Sequence, residues 1–231
     1  MKLFYIILFM FIELITMDET ILAQNNDWAD LNRYKEANLK IGLPAVDENR
    51  VVFMGNSITE GWSILDPDFF LNKSFINRGI SGQTTPQMLI RFRQDVVNLQ
   101  PKIVVILAGT NDIAGNTGPS TLEMIEDNIA SMVEIAKANN IKILLCSVLP
   151  VYDYPWKPGL EPAQKIVNLN KWIKEYSHNN DIIYVDYFTQ MADVSNGLNQ
   201  QYSEDGVHPS LAGYRVMEPI IEKAIADALR Q

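Results

Sequence analysis

Five short apolar runs, separated by longer amphipathic stretches, constrain the fold of this chain more than any other feature of its sequence. The runs are rich in Val and Ile and apolar on both faces, which is typical of parallel strands covered by helices on either side. They are Val51–Gly55, Ser74–Asn77, Ile103–Gly109, Ile141–Leu149 and Ile182–Tyr187. Between them, apolar residues recur every three or four positions in stripes that predict helices. These stripes begin at Met88, Leu122, Ile166 and Tyr214.

The alternation of strands and helices predicts an α/β protein, a three-layer α/β/α sandwich around a five-stranded parallel sheet. The chain has 231 residues, of which 47% are hydrophobic and 20% charged. It is therefore long enough to bury one sizeable core and is expected to form one domain. Pro219 interrupts the last apolar stripe, so we expect a kink or a restart of the helix there.

The charge and the content of cysteine and histidine exclude several classes of function. The formal net charge is −9, from 19 basic and 28 acidic residues, and no run of Lys or Arg is present. Binding to nucleic acid or to an anionic membrane surface is therefore not expected. Two histidines and one cysteine cannot form a disulfide framework, a Cys₂His₂ or Cys₄ zinc site or an iron–sulfur cluster. Cys146 lies in an apolar run and is predicted to be a small buried residue rather than a nucleophile.

The N-terminus has the pattern of an export signal. The apolar stretch Leu3–Ile12 follows Lys2 and is too short to span a bilayer, which takes roughly 20 residues, so no stable membrane insertion is expected. It suits the apolar region of a signal peptide, with Ala23 at a cleavage site. We therefore predict a signal peptide over residues 1–23 and a single domain over 24–231, in an exported, periplasmic or extracellular protein. The acidic residues after the apolar stretch favour the alternative, an N-terminal helix of a cytoplasmic protein.

Ligands of parallel sheets bind at the carboxyl ends of the strands, so the residues that follow each apolar run are the candidates for function. After the first run, Ser57 is expected at the start of a helix that begins near Thr59. Its hydroxyl is there either an exposed nucleophile or a plain helix cap. After the second run, Gly79 and Gly82 indicate a backbone that approaches a neighbour closely or takes a positive φ. On its own, that pattern is more typical of a tight surface loop.

Two further segments carry groups with catalytic chemistry. Asn111 follows the third run, where its side-chain amide can donate to a developing oxyanion or simply form a turn. Asp205 and His208 are three residues apart, a spacing that lets the carboxylate bind one imidazole nitrogen and leaves the other free as a base. His178 lies in a polar helix end and is interpreted as a solvated residue.

Together, these blocks resemble the SGNH hydrolases, also called the GDSL esterase/lipase family, over about residues 50–225. The resemblance implies a flavodoxin-like fold and a catalytic triad in which Ser57 is the nucleophile, His208 the base and Asp205 the carboxylate that orients it. It also implies an oxyanion hole made by the backbone N–H groups of Ser57 and Gly82 and the side chain of Asn111. No metal or organic cofactor is needed for this chemistry.

The chain departs from the family pattern at Asn56, where the family usually has Asp. This position is not one of the triad residues, so the departure puts local hydrogen bonding in doubt more than chemistry. The run "NRGISGQTT" is similar to the platelet-activating-factor acetylhydrolase-like branch of the family, whose members include many bacterial carbohydrate esterases.

The substrate is constrained by one long loop after the fourth run, between Pro150 and Pro162. Its aromatic residues Tyr152, Tyr154 and Trp156 either contact a sugar ring or acyl group or cover the core. Together with predicted export, the resemblance favours a small-molecule or glycan ester as partner and an acetyl group as the one removed. Nothing in the sequence predicts an apolar lid helix, so a lipase for long acyl chains is not expected.

Three alternative functions are considered beside this one. A lysophospholipase or thioesterase would show activity that rises with acyl length. An O-acyltransferase would use the same triad but exclude water from the acyl-enzyme. A carbohydrate-binding module without activity would depend on its aromatic residues and would have no need of Ser57, Asn111, Asp205 and His208 together.

Overall fold

The structure is a computed structural model that describes residues 27–231. The predicted signal peptide, residues 1–23, lies outside the described residues. Among the helices of residues 27–231, none is both long enough and apolar enough to cross a membrane.

The centre of the molecule is a five-stranded sheet in which every neighbouring pair is parallel. The strand order is β2-β1-β3-β4-β5, which is the flavodoxin-like order. The strands are β1 (Val51–Gly55), β2 (Phe75–Gly79), β3 (Ile103–Leu107), β4 (Lys142–Cys146) and β5 (Ile183–Val185). The predicted α/β class, the parallel sheet and its five strands are confirmed.

Three predicted strands end earlier than their apolar runs, and one ends later. β3 stops at Leu107, β4 at Cys146 and β5 at Val185, although the predicted runs continue to Gly109, Leu149 and Tyr187. β2 continues past the predicted Asn77 to Gly79. Ser147, the first residue beyond β4, still donates its backbone N–H to Val185 of β5. The next residue bonds to a helix instead, because Val148 exchanges two hydrogen bonds with the side chain of Asn170. Apolar, buried residues continue past the ends of β3 and β4, so the apolar pattern predicted these two strands too long.

Helices cover both faces of the sheet. They are α1 (Lys35–Ile41), α2 (Ser57–Leu65), α3 (Pro67–Phe70), α4 (Thr85–Asp95), α5 (Thr110–Ile113), α6 (Leu122–Ala138), α7 (Pro162–Asn179), α8 (Phe188–Met191) and α9 (Leu211–Arg230). One apolar core lies between the sheet and α4, α6 and α7. The other lies between the sheet and α2, α3, α8 and α9. Alternate residues of β1 enter opposite cores, Val52 the first and Phe53 the second, which completes the predicted three layers.

The structure tests the expectations for Pro219 and Cys146. Helix α9 runs through Pro219 as a single helix, so the predicted restart is wrong. The apolar stripe continues on both sides of Pro219, with Met217 and Ile221 buried against the sheet, and this packing offsets the hydrogen bond that proline cannot make. Cys146 is buried, and burial raises the pKa of its thiol to about 12; its interpretation as a small core residue is confirmed.

Candidate active site

The turn after β1 places Ser57 at the first position of α2, at the carboxyl edge of the sheet. The helix cap is Asn56, whose Oδ1 accepts a hydrogen bond from the backbone N–H of Ile58 at 3.0 Å. The helix thus begins two residues before the predicted Thr59, and Ser57 is not its cap. Asn56 also answers the question raised by its departure from the family pattern, since asparagine caps a helix as well as aspartate does.

The structure brings Ser57, His208 and Asp205 together. Ser57 Oγ lies 2.9 Å from Nε2 of His208, and Nδ1 of His208 lies 2.7 Å from Oδ2 of Asp205. The loop before α9 supplies Asp205 and His208, and the Asp205 carboxylate also forms hydrogen bonds within this loop. Oδ1 of Asp205 accepts hydrogen bonds from the backbone N–H groups of Val207 and His208 and from the hydroxyl of Ser203.

These contacts keep the Asp205 carboxylate ionised. Partial burial by itself would raise its pKa, but the hydrogen bonds from the His208 ring and from the backbone N–H groups of His208 and Val207 outweigh it. Together they lower the pKa of Asp205 to about 2. An ionised carboxylate at Nδ1 fixes the imidazole with Nε2 facing the serine.

Gly82 and Asn111 lie on two neighbouring segments of the same edge. Gly82 has a φ of 76°, the left-handed conformation that favours glycine. The Asn111 amide donates one N–H to the carbonyl of Gln83 at 3.0 Å, which leaves its second N–H for another acceptor. At Gly79 the backbone approaches a neighbour closely, as expected, because a side chain there would overlap the backbone of Glu60.

The comparisons with known proteins decide the family. The model of the GDSL-like lipase/acylhydrolase family matches residues 53–216, which cover β1 to α9 and all four blocks of the site. The chain belongs to this family.

Similar proteins agree with this assignment to the GDSL family. A crystal structure described as an acylhydrolase of Bacteroides fragilis is 50% identical with a TM-score of 0.86, and the match covers 87% of this chain and 98% of that one. Esterase TesA of Pseudomonas aeruginosa is 27% identical, over 77% of this chain and 85% of that protein. An uncharacterised lipoprotein of Bacillus subtilis is 32% identical, but the match spans only 36% of this chain and 35% of the lipoprotein. The predicted enzyme class, an esterase or acylhydrolase of the GDSL type, is confirmed at the level of the family.

Two buried charged residues that the sequence did not single out form hydrogen bonds to the segments that carry the candidate site. Arg91 donates to Gln83 Oε1 at 2.5 Å and to the carbonyl of Gly55 at 3.0 Å. It thus joins the segment before Ser57 to the segment after Gly82. Asp112, next to Asn111, accepts hydrogen bonds from the backbone N–H and the hydroxyl of Thr85. The sequence could have indicated the burial of Arg91, since this residue lies on the same helical face as Met88.

Burial gives Asp112 a measurable pH dependence. It raises the pKa of this carboxyl to about 6, although the hydrogen bonds from Thr85 oppose the shift. Between about pH 4 and 6 the folded protein holds a proton at Asp112 that the unfolded chain has released, so this group makes stability fall as pH rises. We expect Asp112→Asn to remove that slope. The free energy of unfolding of the variant, relative to wild type, should rise by about 2–3 kcal/mol from pH 4 to pH 7.

Urea unfolding of both proteins at the two pH values measures this difference. Titration of other groups cancels in the subtraction because the two chains differ at one side chain. An equal difference at pH 4 and pH 7 would contradict the raised pKa of Asp112.

The aromatic residues of the loop between β4 and α7 divide into two kinds. Tyr154 is fully buried, and its hydroxyl donates to the carbonyl of Thr110 at 2.8 Å, so it covers the core. Tyr152 and Trp156 are 67% and 47% exposed. The Trp156 ring lies 6.0 Å from the His208 ring, centroid to centroid. His178 is exposed in the last turn of α7, as interpreted, and lies on a helix end far along the chain from the site.

Proposed function

We propose that the protein is a serine esterase that removes short acyl groups, acetate first among them, from carbohydrate esters. The observation that carries this proposal is the continuous contact from Ser57 Oγ through His208 to Asp205, at 2.9 Å and 2.7 Å. Each contact has hydrogen-bond length, and each residue sits where parallel sheets bind their ligands.

In the proposed mechanism His208 Nε2 takes the proton of the Ser57 hydroxyl as its oxygen attacks the ester carbonyl. Asp205 holds the ring tautomer and stabilises the imidazolium that forms. The oxyanion is held by the backbone N–H groups of Ser57 and Gly82 and by the free N–H of Asn111. The imidazolium then protonates the leaving alcohol, and water, activated by His208, hydrolyses the acyl-enzyme.

The proposal of a short acyl group rests on the loop between β4 and α7. Residues 147–161 contain turns and an isolated bridge but no helix, so this stretch provides no lid to cover a long chain. Acetyl esters of carbohydrates are also what the branch resemblance implies. We also propose that the protein is exported. The Bacillus subtilis relative is a lipoprotein and supports export, although the match to it spans only part of each chain.

One observation favours a second candidate, a lipid acylhydrolase. An apolar groove of about 340 Å³ adjoins His208 and is lined in part by Leu65, Pro209 and Leu211. Leu65 and Leu211 are exposed in it. A groove of this kind could accept the methylenes of a longer chain.

A panel of 4-nitrophenyl esters from two to ten acyl carbons distinguishes the two candidates. For the short-chain esterase we expect the highest kcat/KM at two carbons and a fall of about tenfold or more by eight, because no enclosed acyl pocket repays the longer chain. A maximum at eight or ten carbons would transfer the proposal to the lipid acylhydrolase. Adding an acceptor alcohol and analysing the products separates hydrolysis from acyl transfer.

A further inference from the structure

Exposed aromatic side chains are few in the described part of the chain, and most of them lie on one loop beside the candidate triad. Within residues 27–231 three such side chains are exposed, those of Trp28, Tyr152 and Trp156. Two of the three lie on the single loop between β4 and α7. Flat aromatic faces left open next to a catalytic centre offer apolar area to a ligand that has a flat apolar face of its own.

Trp156 is held in a defined position next to the proposed base. Its ring packs on buried Tyr154, with centroids 5.2 Å apart, and Tyr154 is hydrogen-bonded to Thr110. The same indole is tilted by 34° to the His208 ring. Since His208 delivers the proton to the leaving alcohol, Trp156 adjoins the place where the alcohol portion of the ester departs.

Tyr152 lines a cleft that reaches the triad at Asp205. The cleft has a volume of about 480 Å³, within the range of roughly 300–1,000 Å³ typical of small-molecule sites. Gln200 and Glu204 line it with exposed polar side chains, so each can exchange bound water for a ligand hydroxyl.

The cleft is negatively charged. Its lining includes four carboxylates and no Lys, Arg or His. The carboxylates are those of Asp153, Asp193, Glu204 and Asp205. Asp153 and Asp193 accept hydrogen bonds from backbone N–H groups of their own loops, which fix the positions of these two carboxylates. An anionic alcohol would enter against this potential, whereas a neutral polyol would donate its hydroxyls to it.

We propose that this cleft binds the alcohol portion of the ester, that this portion is an uncharged sugar, and that uronates and phosphate-bearing head groups are excluded by charge. The C–H face of the sugar ring lies on Tyr152, and its hydroxyls donate to Glu204 and Gln200. Trp156 is outside the lining of the cleft and meets the ligand only where it adjoins His208. This inference rests on the proposed function, because it requires the ester carbonyl at Ser57.

Acetate release from two acetylated glycosides tests the charge selection. The probes are the acetylated methyl glucoside and the acetylated methyl glucuronoside, with 4-nitrophenyl acetate as the reference without a sugar. We expect kcat/KM to be about tenfold higher for the glucoside than for the glucuronoside at low salt. The ratio should shrink at about 0.5 M salt through screening. Glu204→Gln should narrow it at low salt.

The aromatic contact is tested by Tyr152→Ala. We expect the glucoside to lose about tenfold in kcat/KM relative to 4-nitrophenyl acetate. Tyr176→Ala is the matched control: Tyr176 is a part-buried tyrosine on α7 that stacks on Trp172, and this substitution should leave the relative value unchanged. Relative values within about twofold of wild type in both cleft variants would overturn the inference while leaving ester hydrolysis intact.

A binding measurement separates the cleft from the chemistry. Cellobiose added to the Ser57→Ala variant should change the tryptophan fluorescence of the protein, and the additional substitution Tyr152→Ala should weaken the apparent affinity about tenfold. A saturable response, together with a wild-type protein that cleaves no ester, would refute the proposed function but keep the sugar site. Cleavage of 4-nitrophenyl acetate by wild type without any binding of cellobiose would refute the sugar site alone.

Discussion

Ser57→Ala is expected to lower kcat for 4-nitrophenyl acetate by about 10⁴-fold or more, with KM changed by only a few-fold. In the proposed mechanism the Ser57 hydroxyl forms the acyl bond, and no neighbouring group can replace it. Folding should be unaffected, because Asn56 and not Ser57 caps α2. The oxyanion donors and the bound substrate remain, which accounts for residual activity above the rate in water.

Ser63→Ala is the matched control on the same helix. The Ser63 hydroxyl donates to the carbonyl of Glu60 and accepts from Asn77, so it has a structural contact and no place in the mechanism. We expect its kcat to stay within about twofold of wild type. Mass spectrometry after a brief reaction with a phosphonate ester adds a direct readout, a covalent adduct on the peptide that contains Ser57. More than about 1% of wild-type kcat in Ser57→Ala, or an adduct elsewhere, would refute the assignment of the nucleophile.

The layers of the fold were predictable because they depend on local patterns. A parallel strand between two helical layers is apolar on both faces, and each run of this kind is visible within a few residues of sequence. The strand ends were less accessible. Beyond β4 the chain stays apolar and buried, and only the distant Asn170, which takes over the hydrogen bonds of Val148, shows that the strand has ended.

The candidate site likewise contains contacts that the sequence predicts and contacts that it does not. Asp205 and His208 lie three residues apart in one loop, so their contact follows from spacing. The contact between Arg91 and the carbonyl of Gly55 joins residues 36 positions apart, and the approach of Trp156 to His208 depends on how the long loop folds back. Contacts of this kind depend on tertiary structure, which explains why the aromatic loop residues could be interpreted either as core or as binding residues.

Arg91→Met is expected to lower the free energy of unfolding by about 3–5 kcal/mol. Arg91 and Asp95 form an ion pair at 3.0 Å with side chains that are 0% and 1% exposed. Removal of the guanidinium leaves the carboxylate of Asp95 in the core without its cation. The side chain of Gln83 also loses its donor, and an unsatisfied buried acceptor adds to the cost. The carbonyl of Gly55 loses one of two donors and keeps the N–H of Ile80.

A second pair in the same protein isolates the effect of burial. Lys223 and Asp227 have the same spacing of four residues on a helix and the same distance of 3.0 Å, but their side chains are 80% and 37% exposed. Because water screens such a pair, Lys223→Met should change the free energy of unfolding by less than about 1 kcal/mol. Urea unfolding of the two variants measures both values. Equal losses would show that helical geometry, and not burial, sets the strength of the Arg91 pair.

The Arg91 substitution also links stability to the proposed chemistry. Gln83 accepts hydrogen bonds from the Arg91 guanidinium on its side chain and from the Asn111 amide on its carbonyl. A more mobile Gln83 would therefore let Asn111, the proposed oxyanion donor, move. We expect Arg91→Met to lower kcat by about tenfold at a temperature where the variant is still folded, with little change in KM, since a displacement near 1 Å weakens transition-state contacts first. The double variant Arg91→Met/Asp95→Leu should recover part of the lost stability by removing the unpaired charge. It should not recover kcat, because neither new side chain donates a hydrogen bond to Gln83. Recovery of both together would mean that the pair acts on the site only through global stability.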